Sequence, residues 1–275
     1  KVALITGGAS GMGLAVAQSL ASKGGWHVHL VDLNAERGAA AASSTGSSAF
    51  FHQTNVTSDD SLASTFKNVY ETQRRIDFVF ANAGIAEHAN FYGTHDSDPP
   101  PPVAGLNPIV DIDLKSVVST SYLALHYFRK SPDVEDKCHI MTASCGGLYP
   151  SYYSPIYTAT KHGVIALMRS IARQFWLQGK IRVNTICPSV VRTNSLDAKE
   201  WANFPEEYFT PVEKIVDTVV MLVDGKDEKV EVKGQLWGKA VEISGLSHYY
   251  REQPEYCDEA MRAVMGSTDI EMLET

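Results

Sequence analysis

The chain has 275 residues, 44% of them hydrophobic and 20% charged, with a net charge of −8. That length can bury a full core, and the acidic balance without a basic cluster excludes an electrostatic nucleic-acid or anionic-membrane surface. No apolar run approaches the roughly 20 residues of a membrane span.

Cys138, Cys145, Cys187 and Cys257 are widely spaced, with no CxxC pair and no His-rich partner segment. They read as reduced thiols of a cytoplasmic protein, with neither a metal site nor a disulfide framework. The first residue is Lys rather than Met, so a few residues or a targeting segment can precede this numbering.

In chain order, Val2–Thr6 predicts a strand that runs into TGGASGMG, Thr6 to Gly13, and then into a helix over Met12–Lys23. Gly7, Gly11 and Gly13 let the backbone turn tightly and bring amides and a helix N-terminus against a pyrophosphate. A glycine motif alone is weak, but here a strand precedes it and a helix follows. The second strand, His27–Val31, leads to Asp32. A carboxylate there can hold both ribose hydroxyls of an adenosine and repels a 2′-phosphate, which favours NAD over NADP. Asp32 as a simple helix cap is the competing explanation.

A weaker strand, Ala49–Gln53, precedes Asn55, and a helix follows over Asp59–Gln73. Further strands are predicted at Phe78–Ala81, His139–Thr142, Arg182–Ile186 and Ala240–Ile243, with helices over Ile109–Arg129, Pro155–Leu177 and Val212–Val223. The prolines of His88–Pro108 exclude a helix interior or central strand there. Arg192–Pro211 reads as a loop or small helix over a site. This alternation predicts one α/β domain, a doubly wound parallel sheet of the Rossmann kind, with a tail from about residue 245.

Ser154-Pro155 reads as an N-cap followed by proline at the first helical position. Tyr157 and Lys161, spaced i to i+4, then share one helix face. A phenol near pKa 10 needs a shift of roughly 3 units, about 4 kcal/mol, to act as a base at neutral pH. One ammonium about 4 Å away at an effective dielectric near 20 provides roughly that energy. Most Tyr-x-x-x-Lys pairs are surface accidents; Ser144, at a predicted strand end thirteen residues upstream, raises this one.

Taken together, TGGASGMG, Asp32, ANAGI at 81–85, Ser144, YTATK at 157–161 and RVNTICPSVVRT at 182–193 resemble the short-chain dehydrogenase/reductase family. The order and spacing hold over nearly the whole chain. The resemblance implies hydride transfer between a nicotinamide and a carbinol or carbonyl carbon. In it Tyr157 is the acid/base, Ser144 holds the substrate oxygen, and Lys161 lowers the phenol pKa and binds the nicotinamide ribose. It implies cofactor contacts from Gly7, Ser10, Gly11, Met12, Gly13, Asp32, Asn55, Val56, Asn82, Ala83 and Gly84, and from Tyr157, Lys161, Pro188, Val191 and Thr193. A homodimer or homotetramer, built through the helices that carry Lys115 and Lys161, is implied as well.

Three positions depart from the family pattern. Asp113 stands where Asn is usual; a role through its main chain predicts tolerance, with Asp113→Asn moving the pH profile little. The sharper alternative is that an ionised Asp113 partly neutralises Lys161 and raises the Tyr157 pKa. Asn55 replaces a common Asp and still offers an oxygen to an adenine amine. Ser189 follows Pro188 where Gly is usual.

Tyr149, Tyr152 and Tyr153 lie between Ser144 and Tyr157 and are candidates for a substrate wall, although aromatics near loops are more often packing. Trp201, Phe204, Tyr208 and Phe209 lie in the expected lid, 192–211. With few charges expected at the site, a small hydrophobic alcohol or ketone is the anticipated substrate. GKAVEISGLSHYYRE near the end looks similar to relatives grouped with prostaglandin and steroid dehydrogenases. The alternative keeps the fold and cofactor for a non-redox dehydration or cyclisation, with Asp113 as an added acid or base.

Overall fold

The computed structural model describes residues 1–94, 103–132, 137–193, 201, 204–228 and 236–269. Its centre is an eight-stranded sheet of β1 (Val2–Thr6), β2 (His27–Asp32), β3 (Ala49–Gln53), β4 (Phe78–Ala81), β5 (Cys138–Thr142), β6 (Arg182–Pro188), β7 (Ala240–Ser244) and β8 (Ser247–Arg251). The spatial order is β3-β2-β1-β4-β5-β6-β7-β8. Pairing is parallel throughout, except that β8 runs antiparallel to β7.

Helices α1 (Gly11–Ser22), α2 (Ala35–Thr45), α3 (Asp59–Gln73), α4 (Asn107–Val110), α5 (Ser116–Lys130), α6 (Pro155–Gly179) and α7 (Val212–Asp224) flank the sheet, and α8 (Glu259–Gly266) follows it. Alternation along β1 divides the core. Val2 and Leu4 pack with Leu62 and Phe66 of α3, Val117 of α5 and Met168 of α6. Ala3 and Ile5 point the other way, to Val16 and Leu20 of α1 and Val219 and Leu222 of α7. Because both faces are covered, the strands read as near-continuous apolar runs.

The strand order reverses at β1, with β2 and then β3 on one side and β4 onward on the other. The carboxyl ends of the strands at such a reversal are the place where doubly wound sheets take ligands. Thr6, Asp32, Ala81, Thr142 and Pro188 are the last residues of their strands and lie at these ends.

At the opposite end, Asp77 clamps the sheet. It accepts from the Val2 amide at 2.7 Å, Arg75 Nε at 2.8 Å and the buried Lys137 Nζ at 2.7 Å. Burial pushes its carboxyl up, but the Arg75 and Lys137 hydrogen bonds outweigh that and hold it at about 2.

Three elements go beyond the sequence reading, α8 (Glu259–Gly266) within the predicted tail being one of them. The predicted tail begins with β8, joined to β7 by the two-residue turn Gly245-Leu246, with Gly245 at φ +55°. Such turns need a residue that tolerates positive φ. The third is α2, begun by Asn34, whose side chain accepts from the Arg37 amide at 2.8 Å.

Candidate functional site

The glycine loop sits where β1 meets α1. A Cβ on Gly13 would lie 2.4 Å from the Gly7 carbonyl oxygen, so the loop can close onto the helix only with glycine there. Ser10 stands at the N-cap of α1 without making a side-chain cap, which leaves the first-turn amides around Met12 and Gly13 suited to an anion. A Cβ on Gly11 would meet Thr193 at 3.4 Å, so the glycine loop and the segment after β6 face each other.

Asp32 braces this loop. Its Oδ2 accepts from the Ala9 amide at 3.2 Å and its Oδ1 from the Asn34 amide at 3.1 Å. It is not the cap of α2, since Asn34 fills that role. Each Asp32 oxygen keeps a second lone pair for a ribose hydroxyl. An uncapped helix start beside a strand-end carboxylate fits the adenosine diphosphate half of a dinucleotide.

The ANAGI segment ties three strand ends together. Asn82 donates its amide to Thr6 Oγ1 at 3.0 Å and its Nδ2 to the Thr6 carbonyl at 3.3 Å, and its Oδ1 accepts from Thr142 Oγ1 at 3.0 Å. The Ala83 amide shares Thr6 Oγ1 at 3.1 Å. Thr6 and Thr142 thus orient the segment, and nothing in their spacing flagged them.

Other expected contacts are differently placed. Asn55 Oδ1 already accepts from the amide and hydroxyl of Thr57, at 3.0 and 2.8 Å, so the acceptor expected to meet an adenine amine is engaged. Val56 packs against the core. Pro188 and Val191 are buried, which leaves main-chain groups to face a ligand. Ser189 keeps a negative φ and donates its amide to Ile243 O at 2.8 Å, so Ser in place of Gly brings no strain.

Ser144, Tyr157 and Lys161 converge as the spacing implied. Ser144 follows β5, and its Oγ accepts from the Gly146 amide at 3.0 Å. A Cβ on Gly146 would lie 3.4 Å from the Tyr157 ring and 3.5 Å from Ser144 Oγ, which places serine and phenol side by side. A Cβ on Gly147 would lie 2.6 Å from the Lys161 carbonyl, so this loop presses directly on α6. Lys161 Nζ is 5.3 Å from the Tyr157 ring centroid and donates to the Thr142 carbonyl at 3.3 Å.

Asp113 joins this group. It lies in a π-helical turn, Asp111–Lys115, between α4 and α5. The extra residue of such a turn widens the helix and is common at functional sites. Asp113 is fully buried, with Oδ1 accepting from the Ile85 amide at 2.8 Å. Its Oδ2 is 3.0 Å from Lys161 Nζ, an ion pair that falls outside hydrogen-bond angles.

These contacts correct the simple electrostatic expectation. Burial pushes the Tyr157 phenol above its ordinary value; Lys161 and Ser144 oppose this, while Asp113 adds to the rise. Lys161 is also held high, because Asp113 and Tyr157 outweigh its burial. One lysine therefore does not bring the phenol down to neutral pH in the protein alone.

The aromatic approach divides. Tyr149 is half exposed and donates its hydroxyl to Glu242 Oε2 at 3.2 Å, which draws it toward β7. Tyr152 and Tyr153 are mostly exposed. Part of the expected lid, 194–200 and 202–203, lies outside the described residues. Within the rest, Trp201 packs 5.8 Å from Phe209 and 6.3 Å from Phe204, centroid to centroid. Close by, Glu87 Oε2 accepts from the Tyr157 amide at 2.8 Å.

Over residues 1–203 the chain matches the family model described as short chain dehydrogenase. The chain belongs to the short-chain dehydrogenase/reductase family, whose members are oxidoreductases that use NAD(P). It is 46% identical over 278 residues to the short-chain dehydrogenase/reductase prx7 of Penicillium rubens, covering 94% of this chain and 97% of that one. Human 15-hydroxyprostaglandin dehydrogenase [NAD(+)] is 32% identical over 225 residues, covering 80% of this chain and 79% of the relative. A solved short-chain type dehydrogenase/reductase from Mycobacterium marinum shares the fold, with TM-score 0.76 at 21% identity over 88% of this chain and 93% of that one. Among the described residues, no helix is long and apolar enough to cross a membrane.

Proposed function

We propose that this protein is an NAD(H)-dependent oxidoreductase that interconverts a hydrophobic secondary alcohol and its ketone. The observation that carries this reading is the convergence of Ser144, Tyr157 and Lys161 at the strand ends beside the glycine loop. The dinucleotide, when bound, supplies or takes up the hydride and, when oxidised, brings positive charge to the site. Tyr157 gives a proton to the substrate oxygen in reduction and takes it back in oxidation. Ser144 donates to the same oxygen as charge develops there, and Lys161 counters negative charge on the phenol.

The preference for NAD rests on Asp32, a strand-end carboxylate that would repel a 2′-phosphate. Relatives named for NAD(+) support it. The same relatives, named for a hydroxyprostaglandin, support an apolar substrate carrying a secondary alcohol. We read the chain as one catalytic domain whose segment 192–211 covers the substrate. It assembles as a homodimer or homotetramer; exposed Val118 and Tyr122 on α5 supply apolar surface for such a contact.

The non-redox alternative would be suited by Asp113 as a free acid or base. The Lys161 ion pair and the Ile85 amide occupy that carboxylate, which favours the redox reading. The test follows reduced-cofactor absorbance with purified protein, NAD and a panel of apolar secondary alcohols. NADH formation supports the proposal, and product formed without net NADH overturns it.

A further inference from the structure

The helix that carries Tyr157 starts in an unexpected way. Ser154 occupies the N-cap position but makes no side-chain cap, because its hydroxyl is turned onto Ser151 Oγ at 2.7 Å. Pro155 has no amide proton. The Tyr157 amide is taken instead by Glu87, 70 residues upstream, through Oε2 at 2.8 Å.

A carboxylate suits this place, since the first-turn amides of a helix carry partial positive charge. Yet the other oxygen, Oε1, is fully buried and has no hydrogen-bond partner. Such an atom loses its water without replacement. Ser154, already at the N-cap position, could cap the helix without that loss were its hydroxyl not turned onto Ser151. Stability alone is therefore a poor reason for glutamate at residue 87.

Glu87 also ends a short strap. At its start, a Cβ on Gly84 would lie 3.4 Å from Asp113 Oδ2 and 3.5 Å from Lys161 Nζ. The next residue, Ile85, donates its amide to Asp113 Oδ1 at 2.8 Å. Within four residues the strap touches Asp113, Lys161 and Tyr157, and it leads directly from Asn82 and Ala83, which are bound to Thr6.

We propose that Glu87 is a positioning residue: it fixes the first turn of α6, and with it the Tyr157 phenol, against the strand-end segment Asn82–Gly84. The inference rests on the reading of Tyr157 as the acid/base residue. It makes the strap a mechanical link between the cofactor side of the cleft and the phenol.

Two variants of similar length test it. Glu87→Gln keeps an acceptor oxygen, and Glu87→Met removes it. Glu87→Met is expected to lose about ten- to a hundred-fold in kcat through misplacement of the phenol, with the KM for NAD and the far-UV circular dichroism unchanged. Glu87→Gln is expected to restore most of the turnover. Equal losses in both variants overturn the proposal, because charge or direct substrate contact would then be the role. Wild-type turnover in Glu87→Met overturns it as well. So does a Glu87→Met chain that no longer folds or binds NAD, which would make Glu87 a requirement of the fold. Tyr157→Phe, measured in parallel, separates the two levels. Full activity in Tyr157→Phe removes the reading of the phenol, whereas an inactive Tyr157→Phe beside a fully active Glu87→Met removes Glu87 alone.

Discussion

Asp113 and Lys161 form a buried ion pair, with Oδ2 3.0 Å from Nζ and both side chains almost completely shielded from solvent. Water and salt screen such a pair little, so the carboxylate draws on the same charge that Tyr157 needs. Tolerance of Asp at this position, expected from a main-chain role, and the sharper alternative predict different pH profiles. Asp113 raises the phenol pKa alongside burial. Asp113→Asn should therefore lower it. The acidic limb of alcohol oxidation and the basic limb of ketone reduction should both move to lower pH. Profiles of kcat/KM in the two directions check this, and unmoved limbs in an active variant would count against it.

On the proposed reading, the Asp32 carboxylate sets the cofactor preference by repelling a 2′-phosphate. Asp32→Ser removes the repulsion but keeps a small polar group beside the Ala9 and Asn34 amides. Catalytic efficiency with NADP should rise relative to NAD by about ten-fold or more, equivalent to roughly 1.4 kcal/mol. Steady-state kinetics with both cofactors measure the ratio.

Asp77 should dominate acid stability at the far end of the sheet. Its folded value is depressed to about 2, against about 3.9 for an unfolded Asp. The stabilisation is thus complete above about pH 4 and is lost as pH falls toward about 2, on the order of 2 kcal/mol. Asp77→Asn leaves Lys137 buried without its counter-charge and should cost about 3–5 kcal/mol. Denaturant unfolding of the variant at neutral pH gives that number.

His29 acts over a higher range. It is held down to about 3 by burial first, and then by the neighbouring His52 and His27. Its Nδ1 is 2.8 Å from His52 Nε2, and its buried Nε2 has no partner. An unfolded histidine binds its proton near pH 6.5, so the neutral buried form stabilises the fold above that value. The contribution falls away as pH drops toward 3, with a slope of about 1.4 kcal/mol per pH unit. His29→Leu should flatten the stability profile by that slope between these limits, as read by thermal or urea unfolding across pH.

Most of the frame was legible from local pattern. Val2–Thr6 and the glycine loop marked one side of the cleft, and Ser144, Tyr157 and Lys161 marked the group that converges on the other. In each case a residue type and a spacing reflect one local geometry. β8 escaped because SGLSHYYR is a short run whose only turn signal is Gly245-Leu246. Glu87 escaped because the amide it caps is 70 residues away, and nothing near residue 87 records that contact. The Asp113 ion pair was named as an alternative only; whether it forms depends on the wide turn Asp111–Lys115, which no side-chain pattern announces. Tyr149, expected at the substrate from sequence proximity, donates its hydroxyl to Glu242.

The most direct test of the central claim is NADH formation from an apolar secondary alcohol by the wild type and by Tyr157→Phe, with NAD binding measured on both. The account predicts NADH from the wild type, a loss of about 10²–10⁴-fold in Tyr157→Phe, and equal NAD affinity in the two. Undiminished NADH formation by Tyr157→Phe, or turnover of substrate by the wild type without NADH, would contradict it.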